Sequence, residues 1–228
     1  MMALLIVILL IPCSVLAAGK LVTTQENFYV TNGYSIYGRV FARIENKGDK
    51  PVEYSAGLFE IYDKNADTLA SDSYLSVYGR YLAPGEYGYV VASESIKDVD
   101  VYTDVDDYML TVTGKSNSGK YIKRINCKAE YTPNVQISRY STRNFMTATF
   151  TNDTDDTLFD LHVVMALLDD DGNILDIETT SFYNSIGINP GSTVTVRESV
   201  DDDIRDAYER AGSQPTHVDA FAYIEVEE

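Results

Sequence analysis

The sequence contains no tryptophan, only two cysteines and only two histidines in 228 residues. Cys13 sits in the apolar N-terminal stretch, so a processed chain keeps Cys127 alone, no disulfide can form within it, and its core must hold by packing. Cys127 then reads as a small buried hydrophobe. His162 and His217 stand at no motif spacing from a cysteine, a serine or each other, and there is no nucleophile elbow, phosphate loop or zinc pattern. An enzyme therefore has no residue set to rest on, and a non-catalytic protein is expected. Basic residues are scarce as well, with 18 Lys and Arg against 35 Asp and Glu and a net charge of −17. Nucleic-acid binding, which needs a basic surface to replace phosphate counterions, is not expected.

The apolar run over residues 3–12 ends at Pro12 and is shorter than the ~20 residues a bilayer needs. Small residues follow at Ala17, Ala18 and Gly19, so residues 1–19 read as a secretory signal and the rest as secreted or cell-surface protein. Pro12 stands where a lipoprotein site would carry a small residue. Membrane contact is thus expected only through an uncleaved N-terminus or acylation of Cys13.

The body of the chain carries an internal repeat. A shift of 106 positions lays residues 34–93 on 140–199 without a gap, matching Tyr34 with Tyr140, Ala42 with Ala148, Asn46 with Asn152, Asp63 with Asp169, and Pro84-Gly85 with Pro190-Gly191. Val40, Ala42 and Ile44, and likewise Met146, Ala148 and Phe150, alternate with other residues at the period of a strand with one buried face. Phe59 and Ile61, matched by Met165 and Leu167, supply the next inward set. Residues 161–168 are almost continuously apolar, as a strand covered on both faces or lying near a bulge would be. Polar turns at 46–51, 63–67, 152–157 and 169–173, with the two Pro-Gly pairs, recur at the spacing of a β-sandwich. The expected fold is all-β: two tandem immunoglobulin-like sandwiches over 20–131 and 132–228, the boundary lying within 128–134. One helix is expected over 201–211 with Gly212 as its stop. A hairpin is expected from 109–113 and 121–127 around the loop 114–120.

Phe59-Glu60-Ile61-Tyr62-Asp63, flanked by Asn46-Lys47-Gly48-Asp49 and Leu82-Ala83-Pro84-Gly85-Glu86, resembles the FxLYD-type domains, small immunoglobulin-like modules of bacterial exported proteins. The second copy keeps Asn152, Asp169 and Pro190-Gly191 but replaces the aromatic by Met165 and the tyrosine by Leu168. The resemblance implies a β-sandwich without catalytic residues and brings no defined ligand.

Three features qualify as candidate sites. Asp169, Asp171 and Asn173 on a glycine turn offer hard oxygens of the kind calcium takes, although the same residues suit a hairpin whose Asp171-Gly172 pair takes positive dihedrals, the favoured reading. Residues 132–228 hold 5 basic and 19 acidic side chains, a net −14 that serves solubility or attracts a cationic partner. Tyr78 and Tyr81, in a tyrosine-dense stretch, are candidates for an amphipathic contact surface, core filling being the competing role. The functional expectation is an interaction module that presents loops or a strand edge to another protein or cell-envelope component. A structural spacer without a ligand, or a calcium-stabilised surface domain, is the alternative.

Overall fold

The computed structural model describes residues 19–32, 35–97, 102–117, 119–183 and 187–227. The expected signal, Gly19 apart, falls outside them, as do Cys13 and Tyr34. The described residues form antiparallel strands and a single α-helix, an all-β sandwich architecture. None of their helices is long and apolar enough to cross a membrane.

The first half contains β1 (Leu21–Asn32), β2 (Ile36–Asn46), β3 (Val52–Asp63), β4 (Thr68–Asp72), β5 (Ser76–Tyr78), β6 (Tyr81–Leu82), β7 (Tyr87–Ser95) and β8 (Val105–Ser116). Sheet A runs β1-β2-β7-β5, while in sheet B β3 has β8 along one side and β4 and β6 along the other. The inward set read from the alternation meets between these sheets: Val40 and Ala92 of sheet A cluster with Phe59 and Ile61 of sheet B. The second half contains β9 (Lys120–Asn126), β10 (Lys128–Ser138), β11 (Ser141–Thr151), β12 (Leu161–Leu168), β13 (Ile174–Phe182), β14 (Thr193–Ser199), the helix α1 (Asp202–Arg210) and β15 (His217–Glu227). Sheet C runs β13-β12-β15-β9 and sheet D runs β10-β11-β14.

The repeat is structural. Ala42 pairs with Val90 and Ala148 with Val196, and Phe59 pairs with Asp72 as Met165 does with Glu178. Val52 meets Leu82 as Leu158 meets Ile188, and each β3-type strand bulges at the same place, after Ile61 and after Leu167. The Pro-Gly pairs form type II turns: Gly85 and Gly191 take φ 80° and 74°, closed by Glu86 N–H to Ala83 C=O and Ser192 N–H to Asn189 C=O.

Two expectations are corrected. The hairpin over 109–113 and 121–127 is absent: β8 pairs with β3 along its whole length, and β9 pairs with β15 in the other half. Tyr108 and Leu110 of β8 pack on the core between sheets A and B, burial that a hairpin with β9 would forfeit. The chain therefore crosses between halves after Ser116 and before Lys120, ahead of the expected boundary. The turn at 169–173 also differs. Gly172 alone is left-handed (φ 81°), with Gly172 N–H on Asp169 C=O and Asp169 N–H on Asn173 C=O, a type I turn closed by a glycine bulge. In the first copy Ala66 takes that position at φ 64°. Because a Cβ is disfavoured there, Ala66→Gly is expected to raise stability by roughly 0.5–1 kcal/mol, read as a higher denaturant midpoint.

The expected helix is present with both ends sealed. Asp201 caps it by accepting from the N–H groups of Asp203 and Ile204. It ends in a Schellman motif, with Ser213 N–H on Tyr208 C=O and Gly212 N–H on Glu209 C=O. Its apolar face, Ile204, Ala207 and Tyr208, is buried.

Candidate functional site

The outer faces of sheets A and C press together, so the four layers run B, A, C, D. The residues of β2 facing away from sheet B include Phe41, 2% exposed, and Arg43, whereas their counterparts Thr147 and Thr149 are partly open. On β12 the outward residues Val164 and Ala166 are fully buried, which is why that strand is apolar on both faces. One apolar cluster joins Phe41 and Tyr89 to Val164 and Phe221.

Within this junction lies a polar and aromatic knot. The hydroxyls of Tyr87 and Tyr89 on β7 donate to the same Asp219 Oδ2 on β15, at 2.8 and 2.6 Å. The Arg124 guanidinium of β9 lies 3.8 Å from the Phe221 ring centroid and 4.5 Å from that of Tyr87, and Arg43 sits 3.8 Å over Tyr87. Tyr89 stacks on Phe221 at 6.2 Å. Burial, then the Asp219 charge, pushes the Tyr87 hydroxyl up to about 12 and moves Tyr89 further in the same direction, so both remain donors. Further ties are Arg39 to Asp201 at 2.8 Å, Gln25 Nε2 to Gly172 C=O at 2.8 Å, and Asn27 Nδ2 to Ile174 C=O at 3.1 Å. These groups fix one half on the other.

Beside the Arg39–Asp201 pair, β13 carries two carboxyls in a largely buried setting. Asp176 is 2% exposed, and its Oδ2 has no hydrogen-bond partner among the described residues. Burial, reinforced by Glu178 and Asp201, holds its carboxyl well above the usual range. Burial and then the charge of Glu198 push Glu178 up to about 7, against some relief from Arg39. Burial also pushes Asp201 up, but its hydrogen bond and charge contact with Arg39 outweigh this and hold it low. A carboxyl with a raised native pKa holds its proton more tightly folded than unfolded, so its contribution is complete below the unfolded value and is lost as pH rises through the native one. Stability is therefore expected to fall as pH rises from about 4.5 through about 7, and Glu178→Gln to flatten part of that fall. Urea midpoints across this range check it.

The residues singled out in the sequence are dispersed. Asp169 is 8% exposed, and its carboxylate accepts from Asp171 N–H (3.1 Å), Asn173 N–H (2.8 Å) and Asn173 Nδ2 (2.9 Å), closing the turn as Asp63 does in the first copy. No group of three or more metal-ligating side chains gathers around a common point among the described residues. Tyr81 is 5% exposed, so its ring fills space and does not form the contact surface expected of it, while Tyr78 is half-buried against the core. Among the described residues the most exposed tyrosines are Tyr74, Tyr140 and Tyr183, at 90%, 88% and 71% exposure. His162 Nδ1 lies 2.8 Å from Ser181 Oγ, a cross-strand pair that no sequence spacing announced, with the ring stacked on Tyr223 at 5.1 Å. Among the described residues no carboxylate orients that imidazole. Cys127 is half-buried, and burial pushes its thiol up to about 11, which keeps it protonated.

No protein-family model matches the chain, and no curated protein matches it. Among solved structures, a β-glucuronidase from glycoside hydrolase family 2 is similar at 13% identity and a TM-score of 0.22, over 74% of this chain and 20% of that one. The structure of the infectious bursal disease virus Gx strain is similar at 12% identity and a TM-score of 0.22, over 95% of this chain and 69% of that one. This chain spans only about a fifth of the glucuronidase, and likenesses at these scores carry no argument about the site.

Proposed function

We propose that the chain is an exported, non-catalytic interaction module, a pair of FxLYD-type sandwiches held as one rigid platform that binds another protein of the cell envelope. The observation that carries this reading is the junction of sheets A and C, where Tyr87, Tyr89 and Asp219 join an apolar contact continuous with both cores. Such a junction gives outward groups on both halves a fixed relative placement, which a binding surface needs. The N-terminal apolar run supports export. Immobilised full-length chain is expected to bind envelope extract from its own cells reversibly and saturably, with bound material recovered unaltered. The absence of saturable binding would leave a spacer and overturn the proposal.

A further inference from the structure

In the first half both sides of β7 are occupied, by β2 and by β5, with Ser76 opposite Val91, Val77 opposite Val90 and Tyr78 opposite Tyr89. The counterparts of Tyr89, Val90 and Val91 are Thr195, Val196 and Arg197 on β14. β14 pairs with β11 from Thr151↔Thr193 to Phe145↔Ser199, and no described residue pairs along its other side. The cause lies in β13. After five residues β4 leaves sheet B, and the chain goes on to β5; β13 runs for nine and keeps Thr179 to Phe182 beside β12, so no described residues of the second half take the place of β5.

Among the described residues the donors on the open side have no strand partner. Val200 N–H donates to Asn144 C=O and Asn152 N–H to Ser192 C=O, at 3.0 Å each. In an antiparallel ladder such pairs recur at every second residue, so Val194, Val196 and Glu198 turn their backbone groups to β11. Thr193, Thr195 and Arg197 turn theirs to the open side. Other long edges of this protein carry a guard: lysines at 120 and 123 on β9, Pro133 on β10, and bulges in β1 and β8. β14 has no lysine, no proline and an unbroken register. Thr193 and Thr195 are exposed, their hydroxyls bonded to those of Thr151 and Thr149 at 2.9 Å.

We infer that this edge receives an extended basic segment of the partner protein, which adds antiparallel to β14 where β5 adds to β7. The inference rests on the interaction reading above. β5 shows the form of the occupant, a short strand whose middle residue, opposite Val196, is β-branched and faces inward as Val77 does. Charge fixes its sign. Residues 132–228 carry a net −14, and Asp201, Asp202 and Asp203 follow directly on the edge, so a second copy would be repelled and a lysine- or arginine-bearing segment drawn in.

The probe is a fluorescent peptide with the sequence of residues 73–79 flanked by lysines, titrated into the full chain by fluorescence polarisation. Saturable binding is expected, weakened at least tenfold when the flanks are glutamate. Thr195→Pro is expected to weaken it at least tenfold with an unchanged melting temperature, since the lost N–H faces the open side. An unmutated readout accompanies it: the peptide should slow hydrogen exchange at the amides of Thr195 and Arg197 while Val194 and Val196, already bonded to β11, stay unchanged. Equal binding by Thr195→Pro, or no slowing at Thr195 and Arg197, overturns the inference. Envelope binding that persists in Thr195→Pro without peptide binding overturns it too, yet leaves the interaction reading standing; loss of envelope binding by the parent chain removes the reading itself.

Discussion

Replacing Asn46 or Asn152 by leucine is expected to destabilise the protein by about 2–4 kcal/mol, read as a lower urea midpoint with an unchanged slope. Both side chains are fully buried. Asn46 Nδ2 donates to Lys50 C=O at 2.8 Å and Leu82 C=O at 3.0 Å, and its Oδ1 accepts from Gly48 N–H at 3.0 Å. Asn152 repeats the pattern with Asp156 C=O, Ile188 C=O and Thr154 N–H at 2.8, 2.8 and 3.1 Å. Each amide thus pins the turn after one strand to the segment before the Pro-Gly turn, with Gly85 and Gly191 N–H closing on the asparagine carbonyls. Leucine keeps the volume but strands buried partners, so the loss exceeds that of a typical surface hydrogen bond. A change below about 1 kcal/mol would mean that the turns hold without the pin.

Arg124→Ala is expected to cost about 2–4 kcal/mol, because it removes a cation held against Phe221 and Tyr87 and opens a void in the junction. Two of its nitrogens, Nε and Nη2, are buried without a hydrogen-bond partner, so the planar group is retained by the rings and by charge more than by directed bonds. Lysine cannot present such a plane, and Arg124→Lys should recover less than half of the loss. Asp219→Ala strips the acceptor from both tyrosine hydroxyls, and in a double-mutant cycle it should be strongly non-additive with Tyr89→Phe. Additive losses would mean that the knot is not a unit.

Much of each half was legible in the residues themselves. The period-2 sets Val40, Ala42, Ile44 and Met146, Ala148, Phe150 are the buried faces of β2 and β11, and the 106-residue shift carries one ladder register onto the other. The helix caps were legible because local hydrogen-bonding chemistry sets them. Strand partners were not. β8 and β9 are adjacent in sequence with hairpin-like spacing, and the choice between each other and distant β3 and β15 is made by burial across layers, which local pattern does not encode. The junction left a partial trace: Phe41 stands where the second copy has Thr147, and Val164 and Ala166 fill the outward side of β12. Those differences between copies mark the faces that meet. Tyr81 misled because a tyrosine beside a turn reads equally well as surface or core, and here the ring is buried.

Layers B, A, C and D are expected to open as one cooperative unit. Native-state hydrogen exchange resolved by residue tests it most directly. The slowest amides of β2 and of β11 should share one opening free energy, and Arg124→Ala should lower both by the same amount. Two separate values, with β11 exchanging independently of β2 and one of them indifferent to Arg124→Ala, would contradict it.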